Sequence, residues 1–174
     1  LHLVDASDLE ADPVPLGIAA AIVGVEHGSG NAIIQRNEGP VALDLATLEE
    51  EPLPMPAELD ALGMLGEMAT TAGGGTLRQL THINDQGIPT TQTIAEVSAA
   101  GEINELIRFD DPGDGILQLC SSPSGRYAAV IVAPDLVNNP YDMYQRPLPA
   151  NRQTHIIDTA DGSVVTRLQG ADIS

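Results

Sequence analysis

Short apolar runs follow one another along the chain, each cut off by Gly, Pro, Asn or acidic residues. "IAAAIVGV" (18–25) and "NAIIQR" (31–36) are two such runs, separated by "EHGSG". "GILQLCSS" (115–122) and "RYAAVIVA" (126–133) are two more, joined by "PSG". Runs of this length with turn residues between them predict antiparallel strands linked by hairpins. In the last run the two-residue period places Tyr127, Ala129 and Ile131 on one face and Ala128, Val130 and Val132 on the other. Both faces are apolar, which predicts a strand covered on both sides. "GEMATTAGGGTLRQLTHIND" reads as two strands around Gly73–Gly75. In "PAELDALGMLGEM" Leu59, Leu62 and Leu65 have helix-like spacing, but Gly63 and Gly66 weaken a helix, so a loop or single turn is expected.

One pattern recurs. An apolar strand ends in an acidic residue, a short turn follows, and a second strand ends in Leu, Ile or Met. It runs over 1–16, 41–55, 93–107 and 154–168, anchored on Asp5, Asp44, Glu96 and Asp158. "LEADPVPL" from Leu9 aligns without gaps on "LEEEPLPM" from Leu48. Anchors roughly 40 to 60 residues apart, made of strands, point to the blades of a β-propeller. The expected organisation is an all-β chain of antiparallel four-stranded blades. Residues 1–17 would end one blade, 18–55, 56–108 and 109–170 would be three more, and 171–174 would begin another.

In "SPSGRYAAV" Pro123 fixes φ for a turn, Gly125 accepts positive φ, and the Ser124 hydroxyl can cap a nearby amide. This stretch resembles the "SPDGRYLA" hairpin of TolB-like and PD40-type β-propellers, with Ser124 where that family favours Asp. "IIDTADGSVVTRLQG" resembles the hairpin between the third and fourth strands of the same family's blades. The resemblance implies a partial propeller of about three blades and an extracytoplasmic location. Such propellers serve as scaffolds, as binders and as gating domains of peptidases. About three blades do not close a ring of six to eight, and "LHLVD" and "ADIS" read as ends cut within a blade. A fragment of a longer protein is therefore expected, with self-association as the alternative.

Composition narrows the partners. The chain of 174 residues has 25 acidic and 7 basic residues, a formal net charge of −18, and every basic residue is Arg. Such a surface repels phosphate backbones and anionic membranes, so nucleic acid is not an expected partner. Aromatic residues make up 2%, so the core must be built of Ala, Val, Ile and Leu. No apolar run reaches the ~18 residues of a membrane span. Cys120 is the one cysteine, which excludes an internal disulfide, and its place in "ILQLC" predicts a buried strand position.

Candidate chemistry is sparse. No G-x-S-x-G elbow is present, and "HGSG" (27–30) reads as a turn. His2, His27, His82 and His155 have no ligand-like spacing. "DDPGDG" gathers Asp110, Asp111 and Asp114 in one loop, a weak Ca²⁺ candidate without the EF-hand spacing, and a solvated turn is the better expectation. "EEE" (49–51) reads as a solvated edge. The long insertion 133–152 is the candidate site. Tyr141, Asp142, Tyr144, Arg146 and Arg152 offer amphipathic contact area and planar donor forks for a ligand or protein partner. No cofactor is called for. The expected function is a non-enzymatic propeller for binding or scaffolding. The alternative is an accessory propeller of a larger enzyme, such as a serine peptidase whose catalytic domain lies outside this segment.

Overall fold

The apolar runs form strands, and consecutive strands pair with one another. The computed structural model describes residues 1–4, 7–8, 10–18, 21–26, 29–59, 64–86, 89–111, 114–134 and 152–170. A two-stranded ribbon, β1 (His2–Leu3) and β2 (Val14–Pro15), comes first. The first four-stranded sheet follows: β3 (Ala21–Val25), β4 (Ala32–Arg36), β5 (Gly39–Leu43) and β6 (Glu50–Pro52). The second holds β7 (Met64–Thr70), β8 (Thr76–Ile83), β9 (Pro89–Val97) and β10 (Ile103–Phe109). The third holds β11 (Gly115–Ser121), β12 (Tyr127–Ala133), β13 (Gln153–Asp158) and β14 (Val164–Gln169). Within each sheet the strands lie in chain order and pair antiparallel.

The sheets do not build the expected propeller. The fold is all-β and antiparallel, but the sheets are separate, and none is closed or curled into the blades of a ring. The likeness to TolB-like propellers rested on two hairpins. Hairpin chemistry fixes a turn and the register of two neighbouring strands, and an open sheet satisfies it as well as a closed array.

The recurring acidic anchors have a local cause. Asp44 Oδ1 accepts bonds from the amides of Ala46 (2.7 Å) and Thr47 (3.0 Å), which hold its carboxyl below the usual carboxylate range. Asp158 Oδ1 accepts from Ala160 N at 3.0 Å in the turn between β13 and β14. Both turns close by the same backbone bonds, Leu48 N to Asp44 O and Gly162 N to Asp158 O, each close to 2.8–2.9 Å. Position five of the turn needs positive φ, met by Gly162 (φ 71°) in one and by Leu48 (φ 62°) in the other. Glu96 is not the third anchor. It pairs with Leu77 inside the β8–β9 ladder, and Ser98 does the capping, its Oγ accepting from Glu102 N at 3.1 Å. The "EEE" run lies at an exposed edge as expected: β6 is the margin strand of its sheet, and within it Glu50 also pairs with Arg36.

The second and third sheets pack face to face. Ala69, Leu77 and Ile94 meet Ile116, Leu119, Val130 and Ile157 in one buried cluster. A polar chain crosses the same interface. Gln79 Nε2 donates to Gln92 Oε1 (3.1 Å), Ile116 N donates to the same oxygen (3.0 Å), and Gln92 Nε2 donates to Asp114 O (2.7 Å). Two turns of the third sheet rest on the second: Ala72 N donates to Gly125 O at 3.2 Å, and Gly162 abuts the Leu106 backbone.

His155 of β13 lies in this interface, its ring centroid 5.4 Å from that of Phe109 in β10. Its Nδ1 is buried without a partner, and burial, aided by Arg167, lowers its pKa. The folded state therefore binds this proton less readily than the unfolded chain. The contribution of a neutral His155 is complete above the ordinary histidine pKa of about 6.5 and is lost as pH falls below it. In urea melts at successive pH values between about 5 and 8, wild type should lose more stability toward the acid end than H155Q. Parallel profiles would show that His155 is not held neutral by the fold.

Candidate functional site

The insertion that drew attention in the sequence does not supply the described site. Tyr141, Asp142, Tyr144 and Arg146 lie outside the described residues. Arg152 is buried ahead of β13, where its carbonyl accepts from Gly170 N at 2.8 Å. Asp110 accepts from Arg108 Nε at 2.7 Å in an exposed pair, and Asp114 N donates to Asp111 O at 3.1 Å. Among the described residues no three His, Cys, Asp or Glu side chains are grouped to hold a metal, so Asp110, Asp111 and Asp114 are not assembled into a cation site. Cys120 is half-buried rather than buried, because it alternates with Leu119 onto the face turned away from the second sheet.

Clefts lie between and beside the sheets, and three of them differ in how their polar groups are satisfied. One, about 670 Å³, runs between β3, β7 and β11. Its polar groups are paired with each other. Glu26 accepts from Ser29 Oγ and from Asn31 Nδ2, and Thr70 and Ser121 share a hydroxyl bond of 3.1 Å. A second cleft, about 460 Å³, contains Arg36, whose guanidinium donates to the Glu50 carboxylate and to the carbonyls of Leu16 and Ile18. That cation is fully engaged.

The third cleft contains a cation that is not. It has a volume of about 370 Å³ and lies between β3 and β4 of the first sheet and β7 and β8 of the second. Arg78 projects into it from β8. Because β8 is an inner strand, paired on both sides, its side chains can only stand off the sheet faces. Thr76, Arg78 and Leu80 share one face by the two-residue period, and Leu80 packs there with Leu59, Ala95 and Val97. Arg78 is 2% exposed. Its Nε donates to Thr76 Oγ1 at 2.9 Å, and one terminal nitrogen, Nη2, is buried with no partner. Burial lowers its pKa to about 10, so it stays charged at neutral pH. Among the described residues, ion pairs form at Arg36, Arg108 and Arg126, and none at Arg78.

The sequence held a signal for Arg78. In "TLRQL" an Arg stands between leucines in the middle of an apolar-rich strand, in a chain with only 7 basic residues. Whether such an arginine reaches water or stays inside depends on the neighbouring sheet.

No family model matches the chain, and no curated protein matches it. One solved structure with partial likeness is a calcium-binding protein, regucalcin, from Agrobacterium tumefaciens. The two are 12% identical with a TM-score of 0.44, over 87% of this chain and 44% of the other. The chain thus spans less than half the length of that protein, and a likeness at this level transfers neither fold nor activity. The scaffold and peptidase-accessory readings rested on a propeller, and the separate, open sheets remove their basis. Among the described residues no helix is long and apolar enough to cross a membrane.

Proposed function

We propose that this domain binds a small anion in the cleft between the first and second sheets, with Arg78 as the charged contact. One observation carries this reading: a guanidinium 2% exposed, with a buried Nη2 that has no partner. An uncompensated buried charge costs on the order of several kcal/mol after relaxation. Acidic residues outnumber basic ones 25 to 7 in this chain, and Arg36 shows that it can supply a carboxylate to a cleft arginine. Among the described residues Arg78 has no such counterion, and a bound anion fills the role. The guanidinium fork suits a planar oxyanion, and the low-dielectric walls strengthen the contact.

The test is a calorimetric titration of the intact 174-residue chain with small anions at low ionic strength, beside R78M. Saturable one-site binding by wild type and its loss in R78M is the expected result. Equal heats from the two proteins, or none from wild type, would overturn the assignment.

A further inference from the structure

Resting on that anion-binding reading, we propose that the anion is a monocarboxylate with a short apolar chain, its carboxylate on Arg78 and its hydrocarbon between Ile22 and Met68. The walls carry the choice. Apart from Arg78, the side chains around the cleft are hydrocarbon or thioether except Gln35. The Gln35 amide is neutral and spends one of its two N–H donors on Arg36 O at 2.9 Å. One guanidinium with no second charged donor beside it matches one negative charge. Phosphate and sulfate, with more charge and more oxygens to satisfy, would leave acceptors facing apolar walls.

The mouth of the cleft adds a second, independent observation. Ile22 on β3 is 63% exposed and Met55, just past β6, is 44% exposed, and both line this one cleft. They stand at the rim above the buried Arg78, with Val23 and Met68 half-buried deeper in. A head group at the guanidinium thus has an apolar path leading out past the rim. Methionine side chains suit such a path, because their flexible thioethers adapt to chains of varying shape. At about 30 Å³ per water-sized group, 370 Å³ holds on the order of ten non-hydrogen atoms, enough for a carboxylate and a chain of several carbons.

The experiment titrates the intact chain with acetate, butanoate, hexanoate and inorganic phosphate, with hexanamide as the uncharged counterpart. Wild type, R78M and I22S are compared. Ile22 is exposed on an edge strand, so I22S should fold as wild type does. Affinity should rise about fourfold per added methylene from acetate to hexanoate. I22S should flatten that rise while keeping acetate binding, R78M should abolish all of it, and hexanamide and phosphate should bind at least tenfold more weakly than hexanoate. If R78M still removes binding but phosphate binds as tightly as hexanoate, the anion site stands and the carboxylate class is wrong; if acetate does, the apolar chain is wrong. If hexanamide matches hexanoate, or R78M binds the series unchanged, both readings fall.

Discussion

Gly125→Ala and Gly162→Ala should each cost more than about 3 kcal/mol, whereas Gly30→Ala should cost about 1 kcal/mol. All three glycines have positive φ, at 68°, 71° and 77°, so the backbone penalty for an L side chain is shared. What differs is the surroundings. A Cβ on Gly125 would come within 2.3 Å of Ala72 N and 2.5 Å of Thr71 C, and one on Gly162 within 2.2 Å of Leu106 O. A Cβ on Gly30 meets nothing within 4 Å. The obstacles at 125 and 162 are main-chain atoms of the second sheet, which cannot rotate aside as a side chain can. Relief requires lifting a turn of the third sheet off the second. That would break the bond from Ala72 N to Gly125 O (3.2 Å) and disturb the Thr159 hydroxyl, which donates to Gly125 O at 2.9 Å. It would also open the apolar cluster beneath. Urea melts of the three variants check this directly, with Gly30→Ala separating backbone preference from collision. Equal losses in all three would mean that the turns do not rest on the second sheet.

These two glycines also mark how far the sequence could be read. Gly125 stood out in "PSG" because positive φ after Pro and Ser is local turn chemistry, and Ser124 does reach Arg126 N, at 3.4 Å. Strand positions were legible for the same reason: a two-residue period and turn residues act within a few positions. The acidic anchors were legible as a pattern and less so as a cause. Asp44 and Asp158 cap turns, but the third cap is Ser98, because hydroxyl and carboxylate oxygens do the same capping and a pattern of charge marks only the second kind. What Gly125 touches, Ala72, is 53 residues away in the chain, and no local rule points there. Closure into a ring was misread for that same reason. It depends on how whole sheets meet, and hairpins such as "SPSGRY" are indifferent to it. The cleft belongs to this long-range class. Ile22, Met55, Met68 and Arg78 come from three separate parts of the sequence, and only the meeting of two sheets makes them neighbours.

Arg78→Met should raise the stability of the ligand-free protein by about 1–4 kcal/mol, the opposite of the usual effect of a buried substitution. Three contributions set the sign. Removing a buried charge with no counterion relieves its desolvation penalty, the largest of the three. Losing the 2.9 Å bond from the charged Nε to Thr76 Oγ1 costs roughly 1.5–3 kcal/mol, reduced because a hydroxyl can rotate toward another acceptor. Replacing the hydrocarbon stem by methionine keeps most of the apolar contact, since both are unbranched and the site is lined by Met55 and Met68. Arg78→Lys separates charge from shape: it keeps a cation in the cleft, forfeits the planar fork, and should be no more stable than wild type. Chemical denaturation in buffer free of carboxylate, phosphate and sulfate gives the comparison, and adding the preferred anion should then raise wild type and leave Arg78→Met unchanged. A loss of 2 kcal/mol or more in Arg78→Met would show that the guanidinium is already compensated inside the fold. The cleft would then have no need of an anion. A gain identifies Arg78 as a residue that costs the resting protein stability, the pattern expected of a group kept for what it binds.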